Sequence, residues 1–322
     1  MRIGYVEHPH HQKTNSTNFF INEFVNRGFS LTRIKRDDFS LKEAKTYDLL
    51  VLFQADQCIT VASESGVKTL VIPMLDEALS LSSKHFRFSE KISFLSFSKV
   101  LHDFLTLSGC ESTHVQYWPK AEEIVHSRNQ ELSVFFWERT PEHVREYDVY
   151  NWFRNYKCNL YFRKHRDPGH LAGSSPTRAI ENGIIRLSGD WLDHGEYLKI
   201  LSAASVFVAP RRWEGIGLSM LEALVRGIPV VGLNSPTLNE YVINGENGVL
   251  VHNKFKSLDI FDFSKMSSRA LEMAIQGHEA YKLQINEFLY NFLEGEQCTR
   301  RRFATVPERL TLRQYLYVLD GN

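Results

Sequence analysis

Two glutamates, Glu214 and Glu222, stand eight positions apart, with seven residues between them, in the stretch RRWEGIGLSMLEALVRGIPVVGL, residues 211–233. The second lies among Met220, Leu221, Ala223, Leu224 and Val225, where a carboxylate is costly unless it is paired, hydrogen-bonded or protonated. A helix apolar nearly all round is a buried helix. A sugar diol such as the 2′- and 3′-hydroxyls of ribose would satisfy an acid placed there; pairing with Arg226, one turn on, would satisfy it too. Between the glutamates, Gly215 and Gly217 flank Ile216 and lead into Leu218. Glycines there let the backbone approach a ligand and turn N–H groups toward it at a helix start, a setting that suits a diphosphate. A plain tight turn is the alternative. Glu214, on the loop itself, can accept hydrogen bonds from sugar hydroxyls.

The elements that must position these groups read as alternating strands and helices. In the first half the strand-like runs are 2–6, 30–34, 48–53, 67–72, 92–97 and 113–117; in the second they are 132–137, 158–163, 183–187, 205–209, 228–232 and 248–251. Helical spacing appears over 18–26, 196–204 and 218–226. Strands separated by helices imply right-handed crossovers and a parallel sheet, and runs such as VKTLVIP and ASVFVAP are apolar throughout, as strands covered on both faces are. The 322 residues exceed one ordinary core. The expected fold is therefore α/β, with two facing doubly wound Rossmann-like domains, 1–125 and 126–322, and an interdomain cleft. The stretch 265–322 reads as a helical, charged tail of the second domain, and TRRRF (299–303) as a solvated surface. Ligands of open α/β sheets bind beyond the carboxyl ends of the strands, so the chemistry belongs to the loops that follow them.

Composition narrows the function by exclusion. Lys plus Arg and Asp plus Glu both number 38, a formal net charge of +0, which gives no global attraction to nucleic acid or membrane. The four cysteines are scattered without a C-x-x-C pair, as suits a reducing cytoplasm. No run approaches the roughly 18 apolar residues of a membrane span, and the N-terminus lacks a signal-peptide pattern. A cytoplasmic protein, at most peripheral at the inner membrane face, is expected. A nicotinamide dinucleotide site would need G-x-G-x-x-G after the first strand, where the chain reads GYVEHPHHQ.

The longer stretch APRRWEGIGLSMLEALVRGIPVVGLNSPTLNEYVINGENGVLV (209–251) resembles the signature of the retaining glycosyltransferases of GT-B fold, family four, of the bacterial surface-polysaccharide and O-antigen type. The resemblance runs back through IIRLSGDWLDHGEYLKILSAASVFVAP and covers roughly 132–252; the first half is similar in topology only. It implies that Glu214 contacts the donor sugar, that backbone at Gly215, Ile216, Gly217 and Leu218 holds the diphosphate, and that Glu222 binds the ribose. In the family an Arg after the first strand of this domain and a Lys about five residues later clamp the phosphates. Arg139 takes the first role; Val144 stands where the Lys is expected, leaving Arg145, Lys164 and Arg212 as substitutes.

On the acceptor side, EHPHHQKTNST (7–17) offers His10, Thr14 and Asn15, while Ser16 or Thr17 could simply cap the next helix. Family members carry a His after the fourth strand; here Asp76 in VIPMLDEA is the nearest polar group. No metal is expected, since there is no D-x-D at a strand end and His8, His10 and His11 lack companions. SSKHFRFSEK (82–91) mixes cations and aromatics, as would suit contact with anionic lipid and an acceptor on a polyprenyl diphosphate; a mobile loop with two buried phenylalanines fits equally. The resulting expectation is an enzyme without cofactor. It would move a hexosyl residue from a nucleotide-diphospho sugar, UDP-linked by family frequency, to a glycan hydroxyl with retention. A sugar-nucleotide epimerase or hydrolase, or a non-catalytic glycan-binding subunit, are the alternatives.

Overall fold

The computed structural model describes residues 1–88, 91–122, 131–164, 184–186, 194–295 and 304–319. TRRRF and most of the 117–131 connection lie outside the described residues. The chain divides into two compact units. One comprises Met1–Gln116 with Leu283–Asn322, and the other Tyr117–Lys282. The expected division at 125/126 is thus met nine residues earlier, and the C-terminal tail belongs with the first unit rather than the second. Backbone hydrogen bonds give the reason: Ser83 N–H donates to Leu310 O at 2.8 Å, and Leu312 N–H to Leu81 O at 3.1 Å.

The strands are β1 (Arg2–Glu7), β2 (Ser30–Lys35), β3 (Leu49–Phe53), β4 (Lys68–Ile72), β5 (Ile92–Ser96) and β6 (Ser112–His114) in the first unit. The second holds β7 (Leu132–Glu138), β8 (Cys158–Lys164), β9 (Ile184–Arg186), β10 (Val206–Val208), β11 (Val230–Leu233) and β12 (Gly248–Val251). The first sheet runs in the order β2-β1-β3-β4-β5-β6 and the second β12-β11-β10-β7-β8-β9. Every named strand pair is parallel. Each unit is a doubly wound, Rossmann-like α/β layer, as expected. The order reverses between β1 and β3 in one sheet and between β7 and β10 in the other, and such switch points are where crevices open.

Burial explains why the runs were legible. β3 and β5 are buried at every position, whereas β2, at a sheet edge, buries only Ile34. Phe20, on the helix Asn18–Val25, lies 6.1 Å from the rings of both Phe53 and Phe97 and seals the sheet end below the first loop. In the second unit Phe136, Trp152, Phe153, Phe162 and Phe263 share one core with the valines of β10 to β12.

The long helix Phe263–Glu294 carries a glycine inside it, Gly277, with a specific cause. A β-carbon there would meet the Trp118 ring at 2.5–2.6 Å, and that ring is held by Tyr241 at 5.1 Å, edge to face. His278, next along, engages the Trp118 carbonyl at 2.9 Å. Alanine normally stabilises a helix by about 1 kcal/mol relative to glycine. At this position overpacking reverses the sign, and Gly277→Ala is expected to lose about 1–3 kcal/mol. Urea unfolding followed by circular dichroism measures it; a midpoint equal to or above wild type would show that Trp118 gives way.

Candidate functional site

At the switch point of the second sheet two loops leave adjacent strands, 139–145 after β7 and 209–217 after β10. Glu138, which ends β7, is buried, and its Oε2 accepts from Glu146 N–H at 3.0 Å, fixing the far end of the first loop. Thr140 Oγ1 donates to the Pro210 carbonyl at 3.0 Å, and Arg212 N–H donates to His143 Nδ1 at 3.3 Å. The His143 ring stands edge-on to Trp213 at 5.5 Å. A third element enters from behind: the buried Thr237 hydroxyl lies 2.7 Å from Glu214 O and 3.3 Å from Gly215 O. The glutamate loop is therefore held at its backbone.

Glu214 is 6% exposed, and its Oε2 lies 3.5 Å from Arg211 Nη1. Gly217 adopts φ +74°, a left-handed turn that strains any other residue, and starts the helix Leu218–Leu224. Gly215, Ile216 and Gly217 are buried, and Leu218 is half-buried. On that helix Ser219, Met220, Leu221, Ala223 and Leu224 are buried, so Leu218 and Glu222 form its one open stripe. Glu222 is less deeply placed than its neighbours imply, with its side chain 23% exposed.

The Glu222 carboxylate does not take the Arg226 guanidinium as its own. Arg226 Nη1 donates to the Glu222 backbone carbonyl at 2.8 Å, and Nη2 pairs with Glu122 at 2.7 Å. Its nearest ion-pair contact is exposed His194, at 3.5 Å. The buried Tyr197 hydroxyl lies alongside without the geometry of a hydrogen bond. Burial pushes the Glu222 carboxyl up to about 7, with the Arg226 charge as the main opposition. Tyr197, His194, Thr237 and His143 went unremarked in the sequence, because nothing in their spacing ties them to a glutamate met in space.

The cations sort themselves by their partners. Trp137 carries the Arg139 guanidinium 4.8 Å and the Arg163 guanidinium 4.3 Å from its ring centre, a cation–π arrangement on one indole. Arg163 is buried, and burial together with the Arg139 charge lowers its pKa. Arg139 is half-buried and near enough to Glu222 and Tyr197 to act on their ionisation. Arg212 lies over Trp213 at 5.1 Å. Lys164 pairs with Glu146 at 2.9 Å, Arg145 turns back to the Pro141 carbonyl at 2.9 Å, and Val144 is core. The structure thus brings Glu214, Arg139, Arg212 and Glu222 to the two loops and the following helix, and sets Lys164 on Glu146 at the end of β8.

In the first unit the residues after β1 form a short helix, Pro9–Thr14, rather than the expected open loop. His8 caps it by accepting from His10 N–H at 3.0 Å. His10 is exposed, Thr14 Oγ1 donates to His10 O at 2.9 Å, and Asn15 Oδ1 accepts from Arg33 at 3.4 Å. Thr17 stands at the next helix's start, but its hydroxyl goes to Glu7 at 2.6 Å instead of capping. Asp76 sits in the first turn of the helix Leu75–Ala78. In the 82–91 segment Phe86 is core and Arg87 is engaged by Ser83, Ser108, Val306 and Glu308. Phe86 and Arg87 are thus held within the first unit. Among the described residues no group of three or more His, Cys, Asp or Glu is arranged to hold a metal ion, and no helix is long and apolar enough to cross a membrane.

Residues 185–262 match the family described as Glycosyl transferases group 1. The chain is similar to the lipopolysaccharide core biosynthesis mannosyltransferase LpsB of Rhizobium meliloti, 45% identical over 51 residues, which is 15% of this chain and 14% of that protein. It is similar to the glycogen synthase of Mycobacterium tuberculosis, 47% identical over 58 residues, 18% of this chain and 14% of that one. The matched stretch thus spans about 14% of the length of these curated relatives. The fold as a whole is shared with Anabaena Alr3699/HepE, solved in complex with UDP and glucose, at TM-score 0.64 and 13% identity, covering 92% of this chain and 100% of that one. It is shared also with the lipopolysaccharide outer core galactosyltransferase WaaB in its apo form, at TM-score 0.59 and 10% identity, covering 91% and 99%.

The Thr237 hydroxyl holds the Glu214 loop at the Glu214 and Gly215 carbonyls. Thr237→Val keeps the shape but leaves two buried carbonyls short of a donor, at a cost of about 1–3 kcal/mol. Thermal unfolding should show the loss, and Thr237→Ser should restore most of it. Equal melting temperatures for Val and wild type would mean the loop is held by packing alone.

Proposed function

We propose that this chain is a glycosyltransferase that moves a hexosyl group from a nucleotide-diphospho sugar, UDP-linked, to a hydroxyl of a glycan acceptor. The observation that carries the reading is the convergence of Glu214, Glu222, Arg139 and Arg212 on two loops at one switch point, inside or beside the stretch that matches the family. The UDP complexes of a protein sharing the fold support the choice of base. The reading further holds that the sugar keeps its anomeric configuration and that the product belongs to a surface polysaccharide, the setting named for LpsB.

In this assignment Glu214 accepts hydrogen bonds from donor-sugar hydroxyls, its loop already fixed by Thr237. N–H groups of 215–218 face the diphosphate, and Arg139 and Arg212 supply positive charge as the sugar–phosphate bond breaks. Preorganised charge of this kind stabilises a leaving group without reorganisation at the moment of reaction. The step is written as a same-face displacement. The acceptor oxygen bonds to the anomeric carbon, the anomeric carbon–oxygen bond breaks toward the phosphate, and the acceptor proton passes to the departing diphosphate. No metal takes part in the scheme. Arg139→Ala is expected to lower kcat/KM about a hundredfold or more.

Glu222 gives the reading its pH signature. To accept both ribose hydroxyls it must be ionised, and its carboxyl titrates near 7. The groups facing it are Arg226, Tyr197, Glu122, Arg139 and His194. UDP affinity, measured by calorimetry, should rise as the pH is raised through about 7. Glu222→Gln should flatten that profile and weaken UDP binding roughly tenfold, the worth of one charge-assisted hydrogen bond. The sign for stability is opposite. A carboxyl raised from 4.5 to about 7 in the folded state contributes fully below 4.5, and the contribution is lost as pH rises through about 7. A thermal-shift panel of nucleoside diphosphates tests the donor class directly, since any binder stabilises the native state by mass action. No shift with UDP, or wild-type affinity in Glu222→Gln, would remove the assignment.

A further inference from the structure

A cavity of about 510 Å³ opens in the first unit, between the last turns of the helix Phe263–Glu294 and the strands β4, β5 and β6. Lys68 begins β4, Ser93 and Phe94 lie near the start of β5, and Glu111 precedes the edge strand β6. The cavity therefore meets β4 and β5 at their amino ends, opposite to the edge where open α/β sheets gather their ligands. Its volume is in the range of small-molecule sites, roughly 300–1,000 Å³.

The floor is apolar. Phe94 and Val115 are buried beneath it, and Phe288 and Phe292, one helical turn apart, stand with ring centres 5.9 Å apart and planes 9° from parallel. The charged groups on the wall are Lys68, Glu111 and Glu287. Among the described residues Lys68 pairs with neither carboxylate; its Nζ lies 5.0 Å from the centre of the Phe292 ring. An ammonium in this cavity thus already sits against an aromatic face. His114 adds no positive charge, because burial, and then the charges of His102 and Lys99, lower its pKa to about 4. Two carboxylates consequently stand against one ammonium.

The backbone adds to that imbalance. Gly295, the residue after the helix, is also on the wall, so the cavity meets a helix carboxyl end, where the peptide dipoles leave partial negative charge. Aromatic faces attract a cation within about 6 Å. Ring faces, two acids and a helix end all favour the same guest. An anion would meet like charge there, and a neutral apolar molecule would cover the rings without using the carboxylates.

We propose that this cavity binds a small organic cation, an ammonium or guanidinium carried on an apolar body. The carboxylates of Glu111 and Glu287 hold the charge, and the body lies on Phe288 and Phe292. The site does not depend on the transferase reading.

Three probes of nearly one skeleton separate charge from shape: phenethylamine, 2-phenylethanol and 3-phenylpropionate, titrated against the full chain by ligand-observed NMR at neutral pH. The amine should bind about fivefold or more tighter than the alcohol, and the propionate should bind weakest. Changing both acids, Glu111→Gln with Glu287→Gln, should bring the amine down to the affinity of the alcohol. Phe288→Ala should weaken amine and alcohol alike, and Lys68→Met, which removes a like charge, should strengthen the amine severalfold. Glu287 is exposed and Glu111 half-buried, so the double variant should keep the wild-type melting temperature, which verifies its fold. No binding of the amine, equal affinities for the three probes, a preference for the amine that survives the double change, or weaker amine binding in Lys68→Met would overturn the proposal. Amine binding as expected in a chain that fails to bind UDP would strike the transferase reading and leave this site standing.

Discussion

The first strand of each sheet ends in a buried glutamate, and the segment that follows that strand is anchored by it. Glu7 closes β1 and accepts from Thr17 Oγ1 and Arg33 Nε, both at 2.6 Å; Glu138 closes β7 and accepts from Glu146 N–H at 3.0 Å. In the first unit the acid ties the strand end to Thr17, at the start of the helix Asn18–Val25, across the short helix Pro9–Thr14; in the second it ties β7 to Glu146, so the loop 139–145 has both ends fixed. Hydrogen bonds to a charged group are worth about 1.5–3 kcal/mol each. Removing the donor side would strand a buried charge at about 3–5 kcal/mol. The cost of misplacement is functional as well, since an error of about 1 Å in a reacting group can cost a hundredfold in rate.

From that common frame the two sheets diverge in charge. The second unit sets Arg139, Arg163, Arg211 and Arg212 against Glu214 and Glu222 around its switch point. The first sets Asp56, Asp76 and Glu77 against Arg36. Trp137 makes the crowding of like charge in the second unit tolerable, because two guanidiniums share one indole. The buried Arg163 there trades hydration for the ring.

How much of this could be read from residues follows from the range of each interaction. Strands such as β3 and β5 were legible because a strand covered on both faces is an uninterrupted apolar run, and the helix at 218 because its neighbours are small and apolar. The helix Pro9–Thr14 was not, since it buries no residue and shows no stripe; its one signal was Pro9 behind a possible cap, His8. Thr237 and Glu214 are 23 residues apart, and Arg33 and Glu7 are 26 apart, so only the folded chain pairs them. Spacing placed Arg139 in the loop after β7, yet spacing fixes position and not direction. Val144 turned out to be core, while Arg145 and Lys164 are turned to Pro141 and Glu146. The tail's docking on the first unit was equally hidden, because an amphipathic helix announces a buried face without saying whose core it joins.

The acid at 222 shows how an apolar helix can carry a carboxylate. Its helix buries five of the surrounding residues, and that packing fixes the Cα position. The cation one turn on is committed to the helix's own carbonyl and to Glu122. Neither solvent nor arginine therefore settles the charge, and burial leaves the carboxyl near the middle of its titration at neutral pH. A fully paired acid there would stabilise the unit but would have to break an ion pair to receive a ligand. An acid left fully in water would gain little from one. Held between these limits, the group gains most from hydroxyl donors that arrive already oriented, and the apolar packing that makes it costly is also what makes it responsive.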